Sequence, residues 1–176
     1  GPRSGILASY KQVWKHPYFR CLMPMGFFNY GGMVAMQTLW AGPWMVKVAG
    51  YSPLEAATGL FWLNVCMLIT FWLWGLFTPR LTKRGYSANK LMTYGVPLSL
   101  CVQIVIVVSG ESAGALHWAL FCITSSFVAL AQPAVGMAFP ANVAGRGLSA
   151  FNLVLFLGVF VVQWSMGLMI DGFIAQ

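Results

Sequence analysis

The stretch Gly75-Leu-Phe-Thr-Pro-Arg-Leu-Thr-Lys-Arg-Gly85 joins two long apolar segments through Arg80, Lys83 and Arg84, with Lys90 close behind. The rest of the 176-residue chain is almost free of charge, with 7% of residues charged and 59% hydrophobic. Mean hydropathy is +0.75. A soluble domain carries about a quarter charged residues, so this composition is that of an all-α integral membrane protein. In hydrocarbon each cation of the stretch costs about 2.5 to 3.5 kcal/mol. Residues 75–85 are therefore read as a water-side loop, and membrane crossings are counted outward from it.

Removing the charged residues leaves five charge-free stretches, 21–46, 56–79, 91–110, 112–145 and 147–170, of 26, 24, 20, 34 and 24 residues. A helix needs about 20 residues to cross the bilayer core, so five transmembrane helices are expected. They are placed at 19–47, 54–78, 88–109, 114–138 and 148–172. The longest stretch is one span plus a loop at Pro140-Ala-Asn-Val-Ala-Gly145, which is rich in helix breakers and small residues. Residues 1–16 precede the transmembrane domain, 17–176. Gly1-Pro2 reads as a protease scar. In residues 4–15, Ile6, Leu7, Tyr10, Val13 and Trp14 recur at helical spacing and His16-Pro17 stops the run. That pattern predicts a short amphipathic helix on the membrane surface.

Charge provides an independent check. Five crossings put Arg3, Lys11, Lys15, Arg20, Arg80, Lys83, Arg84, Lys90 and Arg146 on one side, nine of the ten basic residues. Lys47 and the three acids, Glu55, Glu111 and Asp171, fall on the other. By the positive-inside rule the N-terminus is cytoplasmic and the C-terminus lies at the outer face, in a bacterial inner membrane. Trp14 and Tyr18 near one surface, and Trp44, Tyr51 and Trp118 near the other, suit interfacial aromatic belts. The net charge of +7 needs no nucleic-acid partner, because the cations sit only between apolar runs, where they face lipid headgroups. Cys21, Cys66, Cys101 and Cys122 lie in or beside apolar runs without a CxxC pair, and read as packing residues. His16 and His117 are isolated, so neither metal nor cofactor is expected. Small residues at Gly31-xxx-Ala35, Gly95-xxx-Ser99, Gly158 and Gly167 permit close helix contact. Pro24, Pro43, Pro97 and Pro133 lie in or at the ends of spans, either as working bends or as ordinary membrane-helix prolines.

The residues of the basic loop resemble a motif of the major facilitator superfamily (MFS), Gly-x-Leu-Ala-Asp-Arg-x-Gly-Arg-Arg, found between the second and third helices of each six-helix half. Gly75 matches the leading glycine, Arg80 the first arginine, and Lys83 and Arg84 the basic pair. Pro140, Gly145-Arg146-Gly147, Asn152, Gly158, Gln163, Gly167 and Asp171 look like a later loop and the eleventh helix of that family. Trp40-Ala-Gly-Pro-Trp44 with Gly50-Tyr-Ser52 looks like the end of the seventh. The resemblance implies helices seven to eleven of a twelve-helix transporter, an MFS-type half bundle, with Gly75, Arg80, Lys83 and Arg84 as a gating loop. The acidic position of the motif is Pro79 here, which leaves the basic residues as topology determinants and lipid anchors, or as a gate acting through helix-end carbonyls. The chain covers five helices of a six-helix half, so the resemblance implies a fragment or a degenerate half.

A transporter needs a central cavity lined by uncharged polar and aromatic groups. Asn29, Met33, Met36, Gln37 and Trp40 fall at offsets 0, 4, 7, 8 and 11, which share one face of a regular helix. Ser125, Gln132 and Asn152 are further cavity candidates. Asn64, Gln103 and Gln163 are assigned to interhelical hydrogen bonds, the cavity use remaining open for each. No titratable residue lies at mid-membrane depth, so proton coupling through this segment is not expected. No catalytic residues are identified. The expected function is half of a transporter moving a small organic solute by alternating access, completed by a homodimeric copy or a separate N-terminal half. The alternative is a non-transporting membrane assembly or sensory subunit.

Overall fold

The computed structural model describes residues 2–175, with side chains from Leu7 to Ala175. The expected scar at Gly1-Pro2, the Arg3 of the charge map and the Ile6 of the amphipathic face lie outside those described side chains. Helix α1 (Pro2–Lys15) stops because Pro17 disfavours a helical His16, which adopts φ −66° and ψ 123°. From there to residue 47 the backbone stays helical but changes pitch. It runs through α2 (Pro17–Pro24), a π stretch Met25–Tyr30, α3 (Gly31–Ala35), a second π stretch Met36–Trp40, and α4 (Ala41–Lys47). Both wide turns adjoin a proline: Pro24 gives no N–H to the Arg20 carbonyl, and Pro43 none to Leu39. The Gly31 and Ala41 N–H groups reach back five residues, to the Gly26 and Met36 carbonyls.

Helix α5 (Pro53–Lys83) opens with a capping box. The Glu55 N–H donates to Ser52 Oγ at 3.2 Å and the Ser52 N–H to Glu55 Oε2 at 2.8 Å. It closes on Gly85, whose φ of +86° needs a residue without a Cβ. Helix α6 (Ala88–Ser109) starts three residues later under the Ser87 cap. Helix α7 (Ala115–Ser125) continues through a 3₁₀ stretch, Ser126–Leu130, into α8 (Ala131–Met137). The tightened turn lies just ahead of Pro133, which cannot bond the Ala129 carbonyl. Helix α9 (Ala141–Ile174) follows Pro140.

The described residues form an all-α protein, and among them four helical stretches are long and apolar enough to cross a membrane: Pro53–Lys83, Ala88–Ser112, Ala115–Met137 and Ala141–Ile174. The expected first span corresponds to the interrupted run 17–47. Two expected loops are corrected. Gly75, Arg80 and Lys83 belong to α5, not to a loop, and only Arg84 to Ser87 turn the chain. Pro79 is tolerated inside α5, at the cost of one backbone bond in an exposed final stretch. Likewise residues 141–145 form the first turns of α9, because Pro140 ends the preceding turn and initiates a helix that small residues do not oppose.

The chain forms two compact units, Gly1–Gly32 with Leu130–Gln176, and Met33–Ala129. In the first, α1, α2 and the Met25–Tyr30 stretch pack against α8 and α9. Val13, Phe19, Val135 and Phe151 are fully buried, and the Phe19 ring meets Phe139 and Phe151 edge-on at 6.4 and 6.0 Å. Backbone meets backbone where Gly31 lies on Gly158. A Cβ on Gly31 would sit 2.5 Å from the Gly158 carbonyl carbon, and one on Gly158 would collide with the Phe27 carbonyl. Gly167 faces open space instead. In the second unit α7 packs against both α5 and α6, burying Trp118, Phe121, Cys122 and Ser125. Gly95 accommodates the Phe127 ring and Ser99 is buried on the same face.

Candidate functional site

In the Met33–Ala129 unit the second π stretch carries Gln37 toward α5, where its Nε2 donates to Asn64 Oδ1 at 2.6 Å. Asn64 Nδ2 in turn donates to the Leu60 carbonyl at 2.8 Å. Asn64 is exposed and lies about 18 Å along α5 from Ser52 at 1.5 Å per residue, near the middle of the helix. The pair leaves the Gln37 oxygen and one N–H on each amide to the outside of the chain. Met33 and Ser125 are buried within this unit, at 1% and 2% exposure, and present no surface to a solute. Trp40 is half-buried and its indole N–H is buried without a partner, as are the Trp118 N–H and the Ser125 hydroxyl. The face expected from Asn29 to Trp40 thus divides. The 100° per residue used to build it does not hold through π turns, which advance each residue by less.

The Gly1–Gly32 and Leu130–Gln176 unit contains a second amide pair. Gln132 Nε2 of α8 donates to Asn152 Oδ1 of α9 at 2.5 Å, with Asn152 exposed. Asn29 is half-buried and makes no hydrogen bond among the described residues. The structure therefore joins the expected residues in two pairs, Gln37 with Asn64 and Gln132 with Asn152, each inside its own unit.

The aromatic belt expected at the far surface is a corner clamp. Trp44 Nε1 donates to the Ala113 carbonyl at 3.0 Å, and the Tyr51 hydroxyl accepts the Ala115 N–H at 3.3 Å. Trp118 is 5% exposed, packed edge-on against Trp44 at 6.0 Å. Trp44 and Tyr51 thus satisfy loose backbone groups at the start of α7. Trp74, which nothing in the sequence singles out, donates its indole N–H to Ser126 Oγ at 2.7 Å. Ser126 Oγ in turn donates to the Ile123 carbonyl at 2.6 Å, so the 3₁₀ stretch is tied to α5 through one hydroxyl. A partner 52 residues away leaves no periodic signal to find.

At the turn between α5 and α6 the expected gating residues are exposed. Arg80 Nη1 donates to the Leu76 carbonyl at 3.2 Å, and its guanidinium lies 5.7 Å from the Phe77 ring centroid. Lys90 Nζ lies 5.1 Å from the Tyr86 centroid. Comparison with protein-family models, with curated proteins and with solved structures finds no match for this chain.

Proposed function

We propose that this chain is a transporter half of the major facilitator type, in which the run 17–47 is a fifth span. In this reading it moves a small uncharged or zwitterionic organic solute through a path completed by a second copy or a separate N-terminal half, in a bacterial inner membrane with the N-terminus cytoplasmic. The observation that carries the reading is the pair of exposed amide couples, Gln37 with Asn64 and Gln132 with Asn152, at depths where the helices are otherwise apolar. Against lipid, the unpaired amide N–H and oxygen atoms of each couple cost several kcal/mol by the hydrocarbon reference. Water or a polar solute removes that cost. The π turns and the 3₁₀ stretch beside Pro24, Pro43 and Pro133 are the kind of helix irregularity that lets a span bend during alternating access. No enzymatic step forms part of the proposal.

The second reading, a non-transporting assembly subunit, draws on the same couples, because each amide already has one partner and a partner helix could take the rest. Water accessibility separates the two. In a background lacking Cys21, Cys66, Cys101 and Cys122, single Gln37→Cys and Asn152→Cys variants in proteoliposomes are exposed to a charged methanethiosulfonate reagent. The transporter reading expects both to label, while Leu98→Cys, on the apolar exposed face of α6, stays unlabelled. Protection of both amide positions to the level of Leu98 would refute an aqueous path.

A further inference from the structure

The turn between α5 and α6 concentrates Arg80, Lys83, Arg84 and Lys90, all exposed, and among the described residues none of them meets a carboxylate. Like charges held this close repel one another, so an arrangement without internal counter-charge is best satisfied by an external anion. What lies beneath the cations identifies the anion. Phe77, Arg80 and Arg84 fall within about 60° of one another around α5, at 100° per residue, and Leu73 continues that stripe one turn deeper. Leu73 and Phe77 are 36% and 47% exposed, so the stripe is open to the surroundings along its length. It reads outward from the helix middle as aliphatic, aromatic, cationic. On the α6 side the order repeats in miniature, with Lys90 drawn over the exposed Tyr86 ring.

A soluble phosphate would use the cations and leave the apolar stripe bare. A diacyl lipid with an anionic headgroup uses both, its acyl chain along Leu73 and Phe77 and its phosphate between Arg80 and Arg84. We propose that the α5–α6 turn is a binding site for an anionic phospholipid, with Arg80 and Arg84 contacting the headgroup phosphate and Lys83 and Lys90 supplying long-range attraction. The Arg80 guanidinium is already held against the Leu76 carbonyl and the Phe77 ring, where the apolar stripe meets the cations, so little side-chain freedom is lost on binding.

The test is native mass spectrometry of the delipidated full chain in mild detergent, titrated separately with phosphatidylglycerol, phosphatidylcholine and water-soluble glycerol phosphate. Each cation near an anionic surface contributes about a fivefold preference. From the two contacting arginines alone, phosphatidylglycerol is therefore expected to bind at least about twenty-fivefold tighter than phosphatidylcholine, and Arg80→Gln with Arg84→Gln to remove about twenty-fivefold of that preference. Lys47→Gln, a cation exposed elsewhere on the chain, is expected to change it by less than about twofold. The charge-conserving pair Arg80→Lys with Arg84→Lys keeps most of the preference and shows that loss in the Gln pair is not misfolding. Equal binding of the two lipids, or an undiminished preference in the Gln pair, overturns the proposal. Glycerol phosphate binding as tightly as the lipid would also overturn it, by assigning the cations to a soluble anion.

Discussion

Adding one methyl group at Gly31 or at Gly32 should have opposite consequences, although the two residues are neighbours in α3. At Gly31 the added Cβ would lie 2.5 Å from the Gly158 carbonyl carbon and 2.8 Å from the Val159 nitrogen. Ordinary contact begins near 3.4 Å, so α3 and α9 must separate by about 0.9 Å at this point. Both obstructing atoms are backbone, and no rotamer change relieves them. Overpacking of a core costs about 1 to 3 kcal/mol, and a backbone obstruction belongs at the upper end. Replacing Gly by Ala inside a helix returns up to about 1 kcal/mol. The expected net loss for Gly31→Ala is therefore about 2 kcal/mol. Gly32→Ala meets nothing within 4 Å and keeps only the gain. For a chain of this size 1 kcal/mol corresponds to about 2 to 4 °C in Tm. Gly31→Ala should then melt about 4 to 8 °C below the parent in detergent, followed by intrinsic tryptophan fluorescence, and Gly32→Ala at or slightly above it. Equal shifts in the two variants would refute the close approach of α3 to α9.

Adjacent serines offer a similar contrast. Ser126→Ala removes the acceptor of the Trp74 indole and should destabilise by about 1 to 2 kcal/mol, whereas Ser125→Ala deletes a buried hydroxyl with no partner and should be neutral or stabilising; unfolding titrations in a denaturing detergent would show the order. A double-mutant cycle on Gln37→Leu and Asn64→Leu should return a coupling of about 0.6 kcal/mol and no more than about 1.7, and a value near zero would remove the 2.6 Å bond from the account. Ser52→Ala abolishes the capping box, which should cost about 1 kcal/mol and speed amide hydrogen exchange in the first turn of α5 while leaving α6 unchanged.

Helix class and approximate span positions were legible because they depend on quantities a sequence states directly: run length, absence of charge and the position of cations. The ends were less legible. Residues 75–85 are expected as a loop from their cations and 140–145 from breakers and small residues, yet 75–83 and 141–145 are helical, since charge bars a stretch from hydrocarbon but not from a helix, and one proline removes a single bond while the neighbouring turns retain theirs. Gly31, Gly95 and Gly158 were identifiable as contact glycines, but Gly167, equally small, touches nothing, because spacing states size and not which face a partner covers. Pairing of Gln37 with Asn64 was out of reach: it depends on a π turn, which shifts the register of every side chain beyond it and has no periodic signature.

That register shift has a functional corollary. A regular helix through residues 29–40 would align Asn29, Met33, Gln37 and Trp40 as one polar and sulfur-bearing stripe, and would leave Asn64 to find a partner on its own. In the wide turn at Met36–Trp40 Gln37 meets Asn64 and the Trp40 indole N–H is buried unpaired, while Met33, just ahead of the turn, lies in the core. The Met36–Trp40 turn therefore sets one interhelical bond, Gln37 to Asn64, against one unpaired buried donor, Trp40 Nε1, which costs free energy. Trp40→Phe relieves a desolvation cost of about 1 to 3 kcal/mol that offsets the packing lost with the smaller ring, so its Tm in detergent should fall by no more than about 4 °C below the parent. A larger fall would show that the indole N–H is satisfied and contributes a hydrogen bond of its own.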